Sequence, residues 1–297
     1  MGSHGYQQQR LQYMDMDEKK LSEILSKVKA FPSMPVTGVK MLKMLEHPDT
    51  TVDEIEDVLR HDPGLTANVL KLSNSAYFGI PSKIGSVRQA ILLLGFKRLV
   101  QLVIASCVSS VMDKSVPGYD IPSGDLWRHS IAVSIAAEAL VKDKKNIDVE
   151  EVFTPALLHD IGKLILGSYV KDELEAIEDI AAKGVPYVVA ENMVLGTDHA
   201  EVGAQILKQW AFPQDIINAV RWHHDPDYPE HSNASNDIVY LSNLLCSANS
   251  TDGRNGDYPE LSPRVIERLG IDVTQFKELS TRVMQWVEEL SDALTFN

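Results

Sequence analysis

The sequence lacks the features that mark membrane and secreted proteins. No apolar run approaches the roughly 20 residues needed to cross a bilayer, and the first residues carry no apolar core of the signal-peptide kind. It contains only two cysteines, Cys107 and Cys246, and both lie within apolar helical patterns. These absences predict a cytoplasmic protein with no membrane partner, in which both cysteines are buried free thiols.

Basic residues and several enzyme motifs are also scarce. The chain has 28 basic residues against 42 acidic ones, a formal net charge of −14, which argues against a broad nucleic-acid surface. A local site for a small phosphorylated ligand remains compatible with that charge. The sequence has no glycine-rich phosphate loop, no Gly-x-Ser-x-Gly and no His-Glu-x-x-His. Cys107 has no adjacent basic residue that would activate it as a nucleophile.

Helix signals dominate the chain and predict an all-α fold. Capping-box patterns occur at residues 51–54 and 86–89, and Asp198 with Glu201 follows the same logic. β-branched stretches are short, do not alternate cleanly and are not joined by hairpin turns. The nearly continuous apolar run from Leu92 to Val111 predicts a central core helix.

A change in composition divides the chain. Residues 112–124 include Pro117, Gly118, Pro122 and Gly124, between the apolar run and a new amphipathic helix near Asp125. We therefore predict three segments: a flexible leader or expression-tag remnant at 1–18, an N-terminal helical subdomain at 19–117 and a C-terminal helical subdomain at 118–297. Within the last segment, residues 249–259 predict an exposed loop and residues 273–290 a long amphipathic tail helix.

The histidines form the main candidate site. Five of the nine lie between residues 127 and 225: His129, His159, His199, His223 and His224. His159 and Asp160 end an apolar stretch, and burying both without partners would be costly. A divalent cation satisfies both, because imidazole nitrogen and carboxylate oxygen suit Zn, Fe, Mn or Ni. A break at Ile161-Gly162 would let both side chains turn toward one centre.

Each histidine also has a simpler interpretation. His129 lies on a helix among aliphatic residues, where a lone histidine is more often a satisfied core residue than a ligand. His199 could terminate a loop, and the pair His223-His224 could be the solvated end of a helix. Spacing alone leaves these alternatives open.

Several motifs resemble a known family. His129 followed by His159-Asp-Ile-Gly-Lys163 resembles the His…His-Asp pattern of the HD metal-dependent phosphohydrolase superfamily. Four stretches in the first half resemble the signatures of HDOD domains, which are HD-related output domains of bacterial signalling proteins. They are Phe31-Pro-Ser-Met-Pro35, His61-Asp-Pro-Gly-Leu65, Leu72-Ser-Asn-Ser-Ala-Tyr-Phe-Gly79 and Ala90-Ile-Leu-Leu-Leu-Gly-Phe96.

The resemblance implies a fold and a set of metal ligands. The expected fold is an N-terminal helical subdomain packed on an HD-like helical bundle. The implied ligands of one or two divalent ions (Fe, Mn, Ni or Zn) are His129, His159, Asp160, His199, His223 and His224. Asn243 stands where an aspartate ligand is expected and would bind more weakly, since an amide oxygen is neutral. Asp160 and Lys163 are the implied catalytic residues, with Lys163 facing substrate phosphate.

Two functions follow from the resemblance. The first is a regulatory HDOD protein of bacterial signal transduction that acts on a protein partner. The second is a phosphohydrolase that acts on a nucleotide or cyclic dinucleotide, because the histidine set resembles that of HD-GYP phosphodiesterases. Against the second, residues 225–229 lack the glycines of the Gly-Tyr-Pro signature.

Overall fold

The computed structural model describes residues 18–45, 47, 49–142, 144, 147, 149–228, 233–247, 261–271 and 282–283. Within these ranges the chain is helical and forms no strand, apart from one isolated bridge between Val116 and Ile121. The predicted all-α fold is confirmed. The predicted leader except residue 18, the loop at 249–259 and the tail helix except residues 282 and 283 lie outside the described residues.

The N-terminal half consists of short helices joined by capped corners. They are α1 (Glu18–Ala30), α2 (Val36–Leu45), α3 (Val52–Arg60), α4 (Pro63–Ser73), α5 (Val87–Leu94) and α6 (Phe96–Met112), with a 3-10 turn at Ala76–Phe78. Thr51 caps α3 with the full capping box that the sequence predicts. Asp62 accepts a hydrogen bond from the Leu65 amide and so begins α4 beside Pro63.

The predicted central helix over Leu92–Val111 is wrong in its first part. Gly95 adopts φ +89°, which ends α5 and lets α6 start in a new direction. Only α6 is buried nearly all round, whereas Leu92 and Leu93 on α5 are 75% and 49% exposed. An apolar run cannot distinguish one buried helix from two helices, because periodicity does not show where a glycine turns the chain.

The C-terminal half is a bundle around α7. Its helices are α7 (Asp125–Val141), α8 (Val149–Leu158), α9 (Lys163–Asp172), α10 (Leu174–Ala181), α11 (Tyr187–Leu195), α12 (His199–Gln209), α13 (Gln214–Arg221), α14 (Ala234–Ser247) and α15 (Pro263–Leu269). Helices α8 and α14 pack on α7, and α13 packs on α8, α12 and α14. Cys246 on α14 and Cys107 on α6 are buried free thiols, as predicted, and burial raises the pKa of each to about 12.

The two halves pack against each other at several points. Helix α6 contacts α8, and Trp210 at the end of α12 donates its indole N–H to the Pro32 carbonyl at 3.0 Å. A nearly buried ion pair joins Arg98 of α6 to Glu138 of α7, and Tyr77 donates to the same carboxylate. The predicted boundary between residues 117 and 118 stays a prediction. None of the helices within the described ranges is long and apolar enough to span a membrane.

Candidate metal centre

Four separate elements bring the predicted site residues together. His129 lies on α7, the His159-Asp160 step lies in the turn between α8 and α9, His199 begins α12, and His223-His224 follow α13. Their side chains form two groups whose candidate ligand atoms lie within 4.8 Å of one another. One group is Asp160, His199, His223 and His224, and the other is His129, His159 and Asp160. Asp160 belongs to both groups.

The turn at residues 159–162 sets this arrangement. Helix α8 ends at Leu158 and α9 begins at Lys163, so His159 and Asp160 are released from helical geometry, as the sequence predicts at Ile161-Gly162. A Cβ on Gly162 would lie 2.0 Å from the His199 carbonyl oxygen and 2.6 Å from the Gly203 amide nitrogen. Because Gly162 has no side chain, the turn approaches the start of α12 closely and brings Asp160 beside His199.

Three histidines are fixed through their Nδ1 atoms. His159 Nδ1 lies 2.7 Å from the Ala156 carbonyl oxygen, and His223 Nδ1 lies 2.6 Å from the Val220 carbonyl oxygen. His199 Nδ1 lies 2.8 Å from Glu191 Oε2. Since these oxygens only accept, each Nδ1 carries a proton, and the neutral form of each ring has its lone pair on Nε2. This is the tautomer that binds a metal through Nε2.

Asp160 divides its two oxygens between the two groups. Oδ2 lies 3.3 Å from His159 Nε2 and 3.7 Å from His129 Nε2. Oδ1 lies 3.4 Å from His199 Nε2 and 3.8 Å from His223 Nε2. A carboxylate in this position can contribute one oxygen to each of two adjacent ions.

Three buried polar atoms at the centre have no hydrogen-bond partner among the described residues. They are His159 Nε2, Asp160 Oδ1 and His223 Nε2. An unsatisfied buried polar atom is costly, and protein interiors rarely leave one without a partner. Imidazole lone pairs and a carboxylate oxygen that face each other without a donor between them fit a divalent cation.

The electrostatics of the centre favour the neutral form of His129, His223 and His224 and the ionised form of Asp160. Burial lowers the pKa of His129 to about 3 and holds the pKa of His223 well below its usual value. Burial alone would raise the pKa of Asp160, but the nearby His159 and Lys163 lower it well below the usual range. These are the protonation states that metal binding requires.

The pKa of His199 shifts in the opposite direction to those of His129 and His223. Burial by itself lowers its pKa, but the carboxylate of Glu191 outweighs this effect and the pKa is raised. Glu191 therefore increases the basicity of the His199 ring, as a carboxylate behind a ligating histidine does in metal sites.

The open side of the centre carries the remaining predicted residues. The side chains of Lys163 and His129 are 20% and 23% exposed, and His224 is exposed. Lys163 Nζ donates to Asp160 Oδ2 at 2.7 Å, and His224 Nε2 lies 2.9 Å from His199 Nε2. A ligand from solvent would approach the cluster from this side.

Asn243 lies beside the second group. Its Oδ1 is 3.1 Å from His129 Nε2 and accepts a hydrogen bond from Ser247 at 3.1 Å. The amide oxygen is thus close to His129, where the sequence predicts a neutral ligand in place of a carboxylate.

The sequence interpretation missed Glu191 and Tyr119. Glu191 is fully buried, accepts from the His199 amide at 3.0 Å and from His199 Nδ1, and also accepts from the Tyr119 hydroxyl at 2.9 Å. The available signal was a lone acidic residue in the largely apolar stretch 187–195, eight residues before His199. A buried glutamate of this kind needs a partner.

Comparison with known proteins gives a consistent result. The profile of the HDOD domain matches residues 31–226. A Shewanella amazonensis structure, provisionally named a phosphohydrolase, is 26% identical with a TM-score of 0.71, over 92% of this chain and 98% of that one. An HDOD domain protein of unknown function from Geobacter sulfurreducens is 23% identical with a TM-score of 0.72, over 93% and 96% of the two chains, and supports the fold alone.

A curated relative extends beyond this chain. An uncharacterized protein of Treponema pallidum is 24% identical over 229 residues, which is 76% of this chain. The matched region is 44% of the relative's length, so this chain spans less than half of that protein.

Proposed function

The chain belongs to the HDOD domain family, and we propose that it is a signal-transduction protein whose histidine cluster binds divalent metal. The observation that supports the metal site is a set of three buried atoms at the centre that have no hydrogen-bond partner within the described ranges: His159 Nε2, Asp160 Oδ1 and His223 Nε2. HDOD domains act as output modules, so the proposed role is regulatory. We also propose that the chain acts on a protein partner in the cytoplasm.

The donor set constrains the metal. Imidazole nitrogens with one carboxylate suit Fe, Mn, Ni or Zn better than Mg or Ca, which prefer oxygen ligands. His199, His223 and His224 with Asp160 would hold one ion. His129 and His159 with the other oxygen of Asp160 would hold a second, with Asn243 as its neutral neighbour.

Elemental analysis of protein purified without chelators tests the metal site. We expect at least one equivalent of transition metal in the wild type and a marked loss in His159→Ala and in Asp160→Asn, which keeps the side-chain shape. His61→Ala is a matched control, because His61 also directs Nδ1 at a preceding helix carbonyl, that of Asp57, but lies on the N-terminal half. A wild-type protein that contains less than about a tenth of an equivalent of any transition metal would refute the proposed metal binding.

A second candidate is a metal-dependent phosphohydrolase acting on a nucleotide or cyclic dinucleotide. The observation that favours it is the shared position of Asp160, whose two oxygens face different histidine groups. Ions held by Asp160 and these histidines would supply Lewis acidity and lower the pKa of water at neutral pH. The chain contributes the positive charge of Lys163 on the open side, where it can pair with substrate phosphate, and the neutral histidines that hold the ligand geometry.

Activity measurements distinguish the two candidates. If the chain is a phosphohydrolase, the protein supplied with Mn²⁺ or Fe²⁺ hydrolyses a cyclic dinucleotide or nucleotide, and Lys163→Ala loses turnover while retaining its metal. If the chain is a regulatory protein only, it binds metal but hydrolyses none of the tested nucleotides. Retained turnover in Asp160→Asn would contradict an active centre built on this cluster.

A further inference from the structure

The loop that carries His223 and His224 is folded into two consecutive turns. The Asp225 amide donates to the Trp222 carbonyl at 2.9 Å, and the Tyr228 amide donates to the Asp225 carbonyl at 3.2 Å. The rings of Trp222 and Tyr228 stack at 3.9 Å with an interplanar angle of 12°. The loop at 222–228 is therefore a compact unit whose position as a whole decides where the two histidines point.

Helix α15 and the residue that caps it form hydrogen bonds with this loop. Arg268 Nη1 donates to Asp227 Oδ1 at 2.9 Å, and Arg268 Nη2 donates to the Pro226 carbonyl at 3.2 Å. Ser262, which caps α15, donates its hydroxyl to Asp227 Oδ2 at 2.7 Å. Both oxygens of Asp227 are thus bound by the start and the end of one short helix. The HDOD profile match ends at residue 226, before all three of these side chains.

The guanidinium of Arg268 also hydrogen-bonds to a residue of α14. Arg268 Nε and Nη2 donate to the two oxygens of Asp237 at 2.8 and 2.6 Å, and Asp237 is 1% exposed. A bidentate pair with a buried carboxylate fixes the orientation of the guanidinium. Helix α14 carries Asn243, which lies next to His129. One side chain therefore connects the loop of the first ligand group to the helix beside the second group.

His224 depends most on this connection. The Nδ1 atoms of His159, His199 and His223 are anchored to acceptors. Within the part of the chain that the structure describes, the His224 ring lies 4.0 Å from the His223 ring, centroid to centroid, and its hydrogen-bonding contact is through Nε2 to His199, at the exposed end of the cluster. Its direction is consequently set by the backbone of the loop rather than by an anchor of its own.

We propose that Arg268 is a positioning residue for the candidate metal centre, holding the 222–228 loop through Asp227 so that His223 and His224 face Asp160. The inference rests on the proposed metal binding. Arg268 itself contacts no candidate ligand, so its effect passes through the loop. An altered loop would change metal affinity even where the fold survives, because small errors in ligand placement weaken coordination.

The Zn²⁺ affinity of the 297-residue chain, freed of metal and measured by competition with a chromogenic chelator, tests the inference. Arg268→Ala and Asp227→Ala should each weaken binding by about tenfold, the lower end of the range for groups that hydrogen-bond to metal ligands directly, because both residues act on the ligands through the loop. The loss of affinity in the double variant should be smaller than the product of the two single losses, because both substitutions break the Arg268–Asp227 contact. The Zn²⁺ affinity of Arg268→Lys should lie between those of the wild type and Arg268→Ala, since an ammonium cannot form the bidentate pair with Asp237.

Arg88→Ala is the matched control. Arg88 also bridges two acidic residues on another helix, Asp53 and Glu56, but outside the centre, and its loss should leave Zn²⁺ affinity unchanged. Asp227→Ala keeps the Arg268–Asp237 pair, so this variant still tests the inference if Arg268→Ala does not fold. Wild-type Zn²⁺ affinity in folded Asp227→Ala would overturn the positioning role of Arg268 but not the proposed metal binding. No Zn²⁺ binding by the wild type would overturn the proposed function and the inference together.

Discussion

Replacing Glu191 by glutamine should weaken metal binding while leaving the protein folded. Glu191 is fully buried behind His199 and accepts three hydrogen bonds, from the His199 amide at 3.0 Å, His199 Nδ1 at 2.8 Å and the Tyr119 hydroxyl at 2.9 Å. Glutamine has nearly the same shape and can direct its oxygen at His199 and its amide at Tyr119. The substitution therefore removes the negative charge and preserves most of the packing.

The expected magnitudes differ between folding and metal binding. Hydrogen bonds to a charged group contribute about 1.5–3 kcal/mol and neutral ones about 0.5–1.5, so three weakened bonds cost about 3 kcal/mol. Removing a buried charge offsets part of this cost, and we expect the stability of the metal-free protein to change by less than about 2 kcal/mol. Metal affinity should fall about 10–100-fold, or about 1.4–2.7 kcal/mol, because His199 becomes a less basic ligand.

Two measurements on the same samples check this prediction. Chelator competition gives metal affinity, and denaturant unfolding of the metal-free protein gives stability. Tyr119→Phe is the control, since it removes one hydrogen bond but keeps the carboxylate behind His199. Glu191→Ala should instead destabilise the metal-free protein strongly, because each buried donor left without an acceptor costs about 1–3 kcal/mol.

Wild-type metal affinity in a folded Glu191→Gln protein would refute the reasoning. It would mean that the charge behind His199 does not act on the centre, and that Glu191 serves only to satisfy buried donors. A loss of affinity as large in Tyr119→Phe would also contradict the assignment, because that variant retains the charge.

Three further predictions concern the turn, the second ligand group and pH. Gly162→Ala should destabilise the fold by about 3 kcal/mol and lower the unfolding temperature, because its Cβ would lie 2.0 Å from the His199 carbonyl oxygen. Asn243→Asp should raise the metal content in elemental analysis, since it adds a carboxylate near His129, whereas Asn243→Ala should not. Metal-free protein should lose stability in denaturant unfolding as the pH falls from about 6.5 toward 3, by up to about 1.4 kcal/mol per unit, because His129 takes up its proton only near pH 3 when folded. His223 acts in the same direction and His199, whose pKa is raised, in the opposite one, so a stability that rises toward pH 3 would contradict the buried neutral histidines.

Local features of the fold were predictable where one residue type determines local geometry. Thr51 caps α3 and Asp198 caps α12, because a short side-chain oxygen before a helix satisfies a free amide whatever the rest of the chain does. The turn after Asp160 was predictable for a similar reason, since Gly162 follows an apolar helix there. The direction of α5 was not predictable, because Leu92 and Leu93 look like core residues until Gly95 turns the chain away.

The sequence indicated the residues that the structure brings together around Asp160, but it did not indicate the residues that support them. Histidines and an aspartate next to a buried wall indicate metal chemistry by residue type alone. Glu191 was missed because its function depends on α11 lying against the start of α12, and Arg268 because its partners lie 31 and 41 residues away. Such contacts between distant segments leave no periodic pattern in the sequence.

The sequence by itself determined the helical class, the resemblance to the HDOD family and the residue types at the centre. These follow from local propensities and from side-chain chemistry, which each residue carries wherever it lies. Only the tertiary structure decided that Asp160 faces two histidine groups, that Nε2 rather than Nδ1 of three histidines points inward, and that Glu191 stands behind His199. Those facts depend on how the turns and helices pack, because a ligand set requires distances and directions that residue order does not contain.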